Sequence, residues 1–152
     1  MKNLKFFYLA ILAMGFFTFS SCGDDEGTTT PSGPSFTITD VTLDASGRAN
    51  DAEIVAKVML KNNTDAVLDL EWERTNENVP MGWATAICDH NLCYPPDVDS
   101  RALQLNANQE IELKFNFYPD NNTGNGSADL TLYEAADKAG TSVTKSFTGT
   151  AN

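Results

Sequence analysis

From Phe36 onward apolar residues recur at every second position, and that regularity leaves little room for anything but β-structure. Ile54, Ala56, Val58 and Leu60 alternate with Val55, Lys57, Met59 and Lys61. Leu68, Leu70 and Trp72 alternate with Asp69, Glu71 and Glu73. Ile111, Leu113, Phe115 and Phe117 alternate with Glu110, Glu112, Lys114 and Asn116. A period of two sends one row of side chains into a core and the other into water. Further strands are expected around residues 128–133 and 143–148. Residues 135–139 form the one helix-like patch, which Gly140 should end.

Turn chemistry separates these runs. Asn62-Asn63-Thr64-Asp65 is read as a short hairpin turn between the second and third strands. Asn106-Ala107-Asn108 precedes the Glu110 strand, and an Asn- and Gly-rich stretch from Pro119 to Gly126 separates two alternating strands. Turns at this spacing predict an all-β fold: an immunoglobulin-like antiparallel β-sandwich of seven or eight strands. Asp120-x-Asn122-x-Gly124 lacks the spacing and closing Glu of a calcium loop, so polar turn chemistry accounts for it.

The run Leu103-x-Leu105-x-Ala107-Asn108-Gln109-x-Ile111-x-Leu113-x-Phe115-x-Phe117-Tyr118-Pro119, followed by Gly124-x-Gly126-x-Ala128-x-Leu130-x-Leu132, resembles the second half of an immunoglobulin-like ASPM/SPD-2/Hydin domain. Residues 58–72 fit its first half. The resemblance covers most of residues 36–152 and implies a sandwich, with no catalytic residues to carry over. The segment from Trp72 to Tyr94 is similar to one found in secreted Bacteroidota proteins.

The N-terminus reads as an address. Lys2 and Lys5 precede a stretch from Phe6 to Phe19 broken only by Gly15 and Thr18, then Ser20-Ser21-Cys22. The apolar stretch is shorter than the roughly 20 residues that span a bilayer and suits a signal peptide. The segment resembles a bacterial lipoprotein signal, although Phe19 stands where the common form has Leu. That resemblance implies cleavage before Cys22, lipid on Cys22 and membrane attachment through that lipid. An ordinary secretory signal with a free Cys22 is the alternative. The expected organisation is signal peptide 1–21, acidic flexible tether 22–35 and sandwich domain 36–152. The Asp24-Asp25-Glu26 triplet resembles the export signal of Bacteroidota lipoproteins that reach the cell surface, implying an outer-membrane anchor facing the medium.

A net charge of −11 repels phosphate backbones, so a nucleic-acid partner is not expected. The chain has one histidine and no nucleophile elbow, so no catalytic residue, cofactor or enzymatic role is expected.

Three cysteines are present. With Cys22 acylated, Cys88 and Cys93 remain, and an oxidising compartment favours a disulfide between them. So short a loop gains only roughly 2 kcal/mol. The bond would chiefly stiffen Asp89-His90-Asn91-Leu92 into a knob. A metal held by Cys88, His90 and Cys93, with Asp89, is the competing reading, but four-ligand structural zinc would lack a second histidine. Trp72 lies on an inward row. Trp83 packs under the disulfide loop or joins Tyr94 as an aromatic platform for sugar rings. Pro95-Pro96 would stiffen the chain just after Tyr94.

The candidate binding residues are therefore Asp89, His90, Asn91, Tyr94 and Trp83. The expected role is a non-catalytic, surface-anchored binding or structural module whose partner is an envelope protein. A glycan-binding sandwich serving polysaccharide uptake is the alternative, and a metal-binding envelope protein a further one.

Overall fold

The computed structural model describes residues 33–152. The signal segment, Cys22 and nearly all of the tether lie outside the described residues. The described chain forms β1 (Phe36–Thr42), β2 (Asp44–Gly47), β3 (Ile54–Asn62), β4 (Leu68–Asn78), β5 (Ala84–Cys88), β6 (Cys93–Tyr94), β7 (Ser100–Leu105), β8 (Glu110–Tyr118) and β9 (Gly124–Glu134). A one-turn helix α1 (Lys138–Thr141) and the last strand β10 (Val143–Ala151) complete it. Two five-stranded sheets result, in the orders β1-β3-β8-β5-β6 and β2-β10-β9-β4-β7.

The all-β sandwich is as the alternation predicts, with differences that have one origin. Both edges of the sandwich change sheets. At one edge the chain passes from β1 in the first sheet to β2 in the second, with only Leu43 between them. At the other, β5 and β6 belong to the first sheet and β7 to the second. Splitting the edges this way gives ten strands instead of seven or eight among the described residues. The pairing is antiparallel except for β2, which runs parallel to β10 from Asp44↔Thr148 to Gly47↔Ala151.

The turn at Asn62-Asn63-Thr64-Asp65 is a crossover and not a hairpin. β3 sits in the first sheet and β4 in the second. Period two fixes which row faces the core, but both sheets share that core, so alternation cannot say in which sheet a strand lies. Asn62 makes the corner. Its side chain is fully buried. Its Nδ2 donates to the carbonyls of Ala66 (2.8 Å) and Asn106 (2.9 Å), and its Oδ1 accepts from Thr64 N (2.9 Å) and Thr64 Oγ1 (2.8 Å).

Trp72, Phe115, Phe117 and Phe147 are fully buried and centre the core. Phe115 stacks on Phe147 with centroids 5.2 Å apart. Each such ring removes roughly 150–250 Å² from water. Phe117 lies so close to β10 that a Cβ on Gly149 would stand 2.6 Å from its ring, which explains the glycine there. The helix begins later than the sequence suggests, because Asp137 caps it by accepting from Gly140 N at 2.9 Å. Gly140 thus lies inside the turn.

Candidate functional site

The disulfide loop is built at the end of β5. Cys88 stands opposite Cys93 and Ile87 opposite Tyr94 in the β5–β6 ladder. A disulfide joins Cys88 and Cys93, whose Cα atoms are 3.9 Å apart. The metal alternative at Cys88, His90 and Cys93 thereby loses both thiolates it would need.

Asp89 organises the four residues inside the ring. Its backbone N–H donates to Leu92 O at 3.0 Å. Its Oδ1 accepts from Asn91 N (2.7 Å) and Leu92 N (3.2 Å), and its Oδ2 accepts from the Tyr94 hydroxyl (2.9 Å). A carboxylate that collects its own loop's amides is a local clamp. The Tyr94 ring meets Trp72 edge-on at 5.2 Å. Burial pushes the Tyr94 phenol up to about 12, and the adjacent Asp89 hydrogen bond and charge add to it. Asp89 and Tyr94 therefore face inward as supports. His90, Asn91 and Leu92 are exposed, with Leu92 52% accessible. Leu92 is a surface residue that the sequence reading did not single out.

Trp83 is not part of this surface. It is only 7% accessible and sits at the entry to β5, at the far end of that strand from Cys88. Its indole N–H donates to Asn122 O at 3.0 Å, and its ring meets Phe117 edge-on at 6.4 Å. It neither packs under the disulfide loop nor pairs with Tyr94 as a platform. Its neighbours come from β8 and from the loop before β9, contacts between segments far apart in sequence.

Arg74 underpins the loop from the opposite sheet, and the sequence reading gave it no role. It lies on the inward row of β4 with Leu70 and Trp72 and is buried. Its guanidinium donates to Thr85 O (3.1 Å), Thr85 Oγ1 (2.7 Å) and Asp99 Oδ1 (2.8 Å), and also to Pro96 O. Arg74 N donates to Asp99 O at 2.7 Å. One side chain thus ties β4, β5 and the segment leaving the disulfide loop. The planar, five-donor fork of arginine suits this task, and lysine could not reproduce it. A charged residue at an inward position next to Trp72 is the sequence signal that could have pointed here.

Between the disulfide loop and the first half of β8 lies a groove of about 530 Å³, bounded by His90, Leu92, Glu110, Ile111, Glu112 and Lys114. Glu112 accepts from Lys57 (2.9 Å) and also pairs with Lys114 (3.3 Å). The Lys57 hydrogen bond, helped by Lys114, holds the Glu112 carboxyl below its ordinary range.

No protein-family model matches the sequence, and no curated protein matches it. Solved structures are similar to it to differing degrees. The N-terminal domain of PorA superposes with a TM-score of 0.59 at 15% identity, covering 77% of this chain and 97% of that one. The PapD-like domain 7 of human CEP192 gives 0.42 at 10% identity, covering 99% of this chain and 98% of that one. The E. coli chaperone DraB gives 0.42 at 10% identity, covering 80% of this chain and 56% of that one. The class these features define is an immunoglobulin-like β-sandwich whose edge strands switch sheets. At these identities the likeness is one of fold.

Proposed function

We propose that this chain is a non-catalytic, membrane-anchored binding module that meets a protein partner through its disulfide loop. The observation that carries the reading is the division of labour within the loop. Asp89, Tyr94, the Cys88–Cys93 bond and Arg74 are spent on rigidity, while His90, Asn91 and Leu92 are free to face a partner. A surface fixed before contact loses less entropy on docking. The glycan-binding alternative needs an exposed aromatic pair. Trp83 is buried and Tyr94 is turned against Trp72, so no observation favours it here.

Replacing His90 and Asn91 with alanine and Leu92 with serine together should change unfolding free energy by less than about 0.5 kcal/mol per site, as exposed positions do. The same protein should lose capture of its envelope partner in a pull-down with the full-length chain. Retained capture would reject the loop as the contact surface, and unfolding would show that the loop is structural.

The anchor belongs to the same proposal: signal 1–21, tether 22–35 beginning at an acylated Cys22, and binding domain 36–152, displayed on the outer membrane of a Bacteroidota-like cell. The n-region, the short apolar stretch and Ser20-Ser21-Cys22 support it. Cys22→Ser is expected to abolish incorporation of radiolabelled palmitate and release the protein from the membrane fraction. Unchanged labelling would refute the anchor while leaving the loop reading untouched.

A further inference from the structure

The disulfide loop and the junction with the proposed tether lie at the same end of the sandwich. Phe36, the first residue of β1, stands opposite Asn62, the last of β3. Lys61 stands opposite Glu110, the first residue of β8. β5 runs antiparallel to β8, so the chain leaves Cys88 heading toward the Glu110 end. The loop completes that course. Asn91 borders one cavity with Gln109 and Glu110 and another with Asp69 and Ala135. Ala135 follows Glu134, whose carboxylate accepts from Ser35 N at 2.6 Å. Asn63 N donates to the Ser35 carbonyl at 3.0 Å. The junction is therefore pinned to β9 of one sheet and to the chain just after β3 of the other.

In the first sheet, β3 and β8 lie between β1 and β5, which sets the junction and the loop about 15 Å apart. Met81, just before β5, and Asp120, just after β8, mark the opposite end, about 30 Å away along β8. Covalent geometry limits how far the junction can stand from a lipid on Cys22. Thirteen residues separate Cys22 from Ser35, and a chain of that length spans at most about 45 Å. An anchored domain thus keeps the loop end close to the bilayer, while the Met81 end points outward.

We propose, resting on the Cys22 anchor and the loop contact, that the partner is a membrane-embedded protein met where it stands just above the bilayer. The contact surface is the disulfide loop together with the crossover between β3 and β4. Val67 in that crossover is 54% accessible and Leu92 in the loop 52%. His90 and Asn91 add exposed polar groups beside Leu92. The bilayer surface itself is a poor occupant. Two separate apolar side chains make no insertion face, and a chain of net charge −11 is repelled by anionic headgroups. A soluble partner gains nothing from a surface turned toward the membrane. A partner fixed in the same membrane gains a raised local concentration, because both molecules are confined to one thin layer.

Photoreactive residues in the anchored full-length protein, irradiated in intact cells, test this. A group at Val67 should capture the same protein as one at Leu92, and a group at Met81 should capture none. The captured protein should resist alkaline extraction from membranes of cells lacking this chain, as an embedded protein does. A spacer of about forty residues of Glu-Ala-Ala-Ala-Lys repeats, inserted after Ser32, is roughly 60 Å long where helical. It should lower the Leu92 adduct at least about fivefold, and a Gly-Ser spacer of equal length, which can fold back, should lower it less. A captured protein that alkali removes, an adduct indifferent to the rigid spacer, or equal capture from Met81 would overturn the membrane-embedded partner and leave the loop contact standing. Adducts to lipid alone would assign this end to the bilayer surface and overturn the protein partner. No adduct from either Val67 or Leu92 would reject the loop contact and this proposal with it. Cys22→Ser protein that stays in the membrane fraction would remove the anchor on which the reach depends, and so overturn the proposal by a separate route.

Discussion

Arg74→Ala is expected to lower the unfolding free energy by about 2–4 kcal/mol, because buried acceptors of β5 are left without their donor. Asp99, the ionic partner, is largely exposed and regains water when the arginine is gone. The cost falls on buried Thr85, whose carbonyl and hydroxyl lose their donor, while the exposed Pro96 carbonyl loses its tie to β4. Glu77 also bonds to Thr85 Oγ1, so the loss spreads along a network. Arg74→Lys should recover only a minor part, since an ammonium cannot satisfy this fork of acceptors. Denaturant titration of the full-length protein measures both changes. A loss under about 1 kcal/mol would mean that Arg74 is incidental to the frame that holds the disulfide loop.

Asn62→Ala is expected to cost about 3 kcal/mol, because the fully buried Asn62 amide gives up its hydrogen bonds to two segments at once. The Asn62 amide bridges the crossover carbonyl of Ala66 to that of Asn106 in the loop before β8, while its oxygen holds Thr64. The chain changes sheets at this corner, so weakening it loosens the start of both β4 and β8. The midpoint of denaturant unfolding should fall with little change in slope. An unaltered midpoint would show that packing alone fixes the crossover.

The strands with a clean alternating row were legible in the sequence. β3, β4 and β8 bury the apolar rows read there, down to the aromatic pair Phe115 and Phe117. The edges were not legible. β2, Asp-Ala-Ser-Gly, carries almost no apolar signal and exists because β10 offers it a parallel partner. The Cys88–Cys93 link could be read from counting thiols. Trp83 could not be placed, because its environment comes from Asn122, Phe117 and Gly126. The role of Arg74 depends on acceptors from two segments, β5 and the stretch after the disulfide loop. Their meeting is a property of tertiary packing, which periodicity does not encode.

The central claim is that a protein partner docks on the disulfide loop. A photoreactive amino acid placed at Leu92 in the full-length protein, irradiated in intact cells, tests it most directly, with the same group at exposed Thr144 on the outer face of the second sheet as the control. The account predicts a discrete protein adduct from Leu92 and none from Thr144. An adduct from Thr144 with none from Leu92 would contradict it.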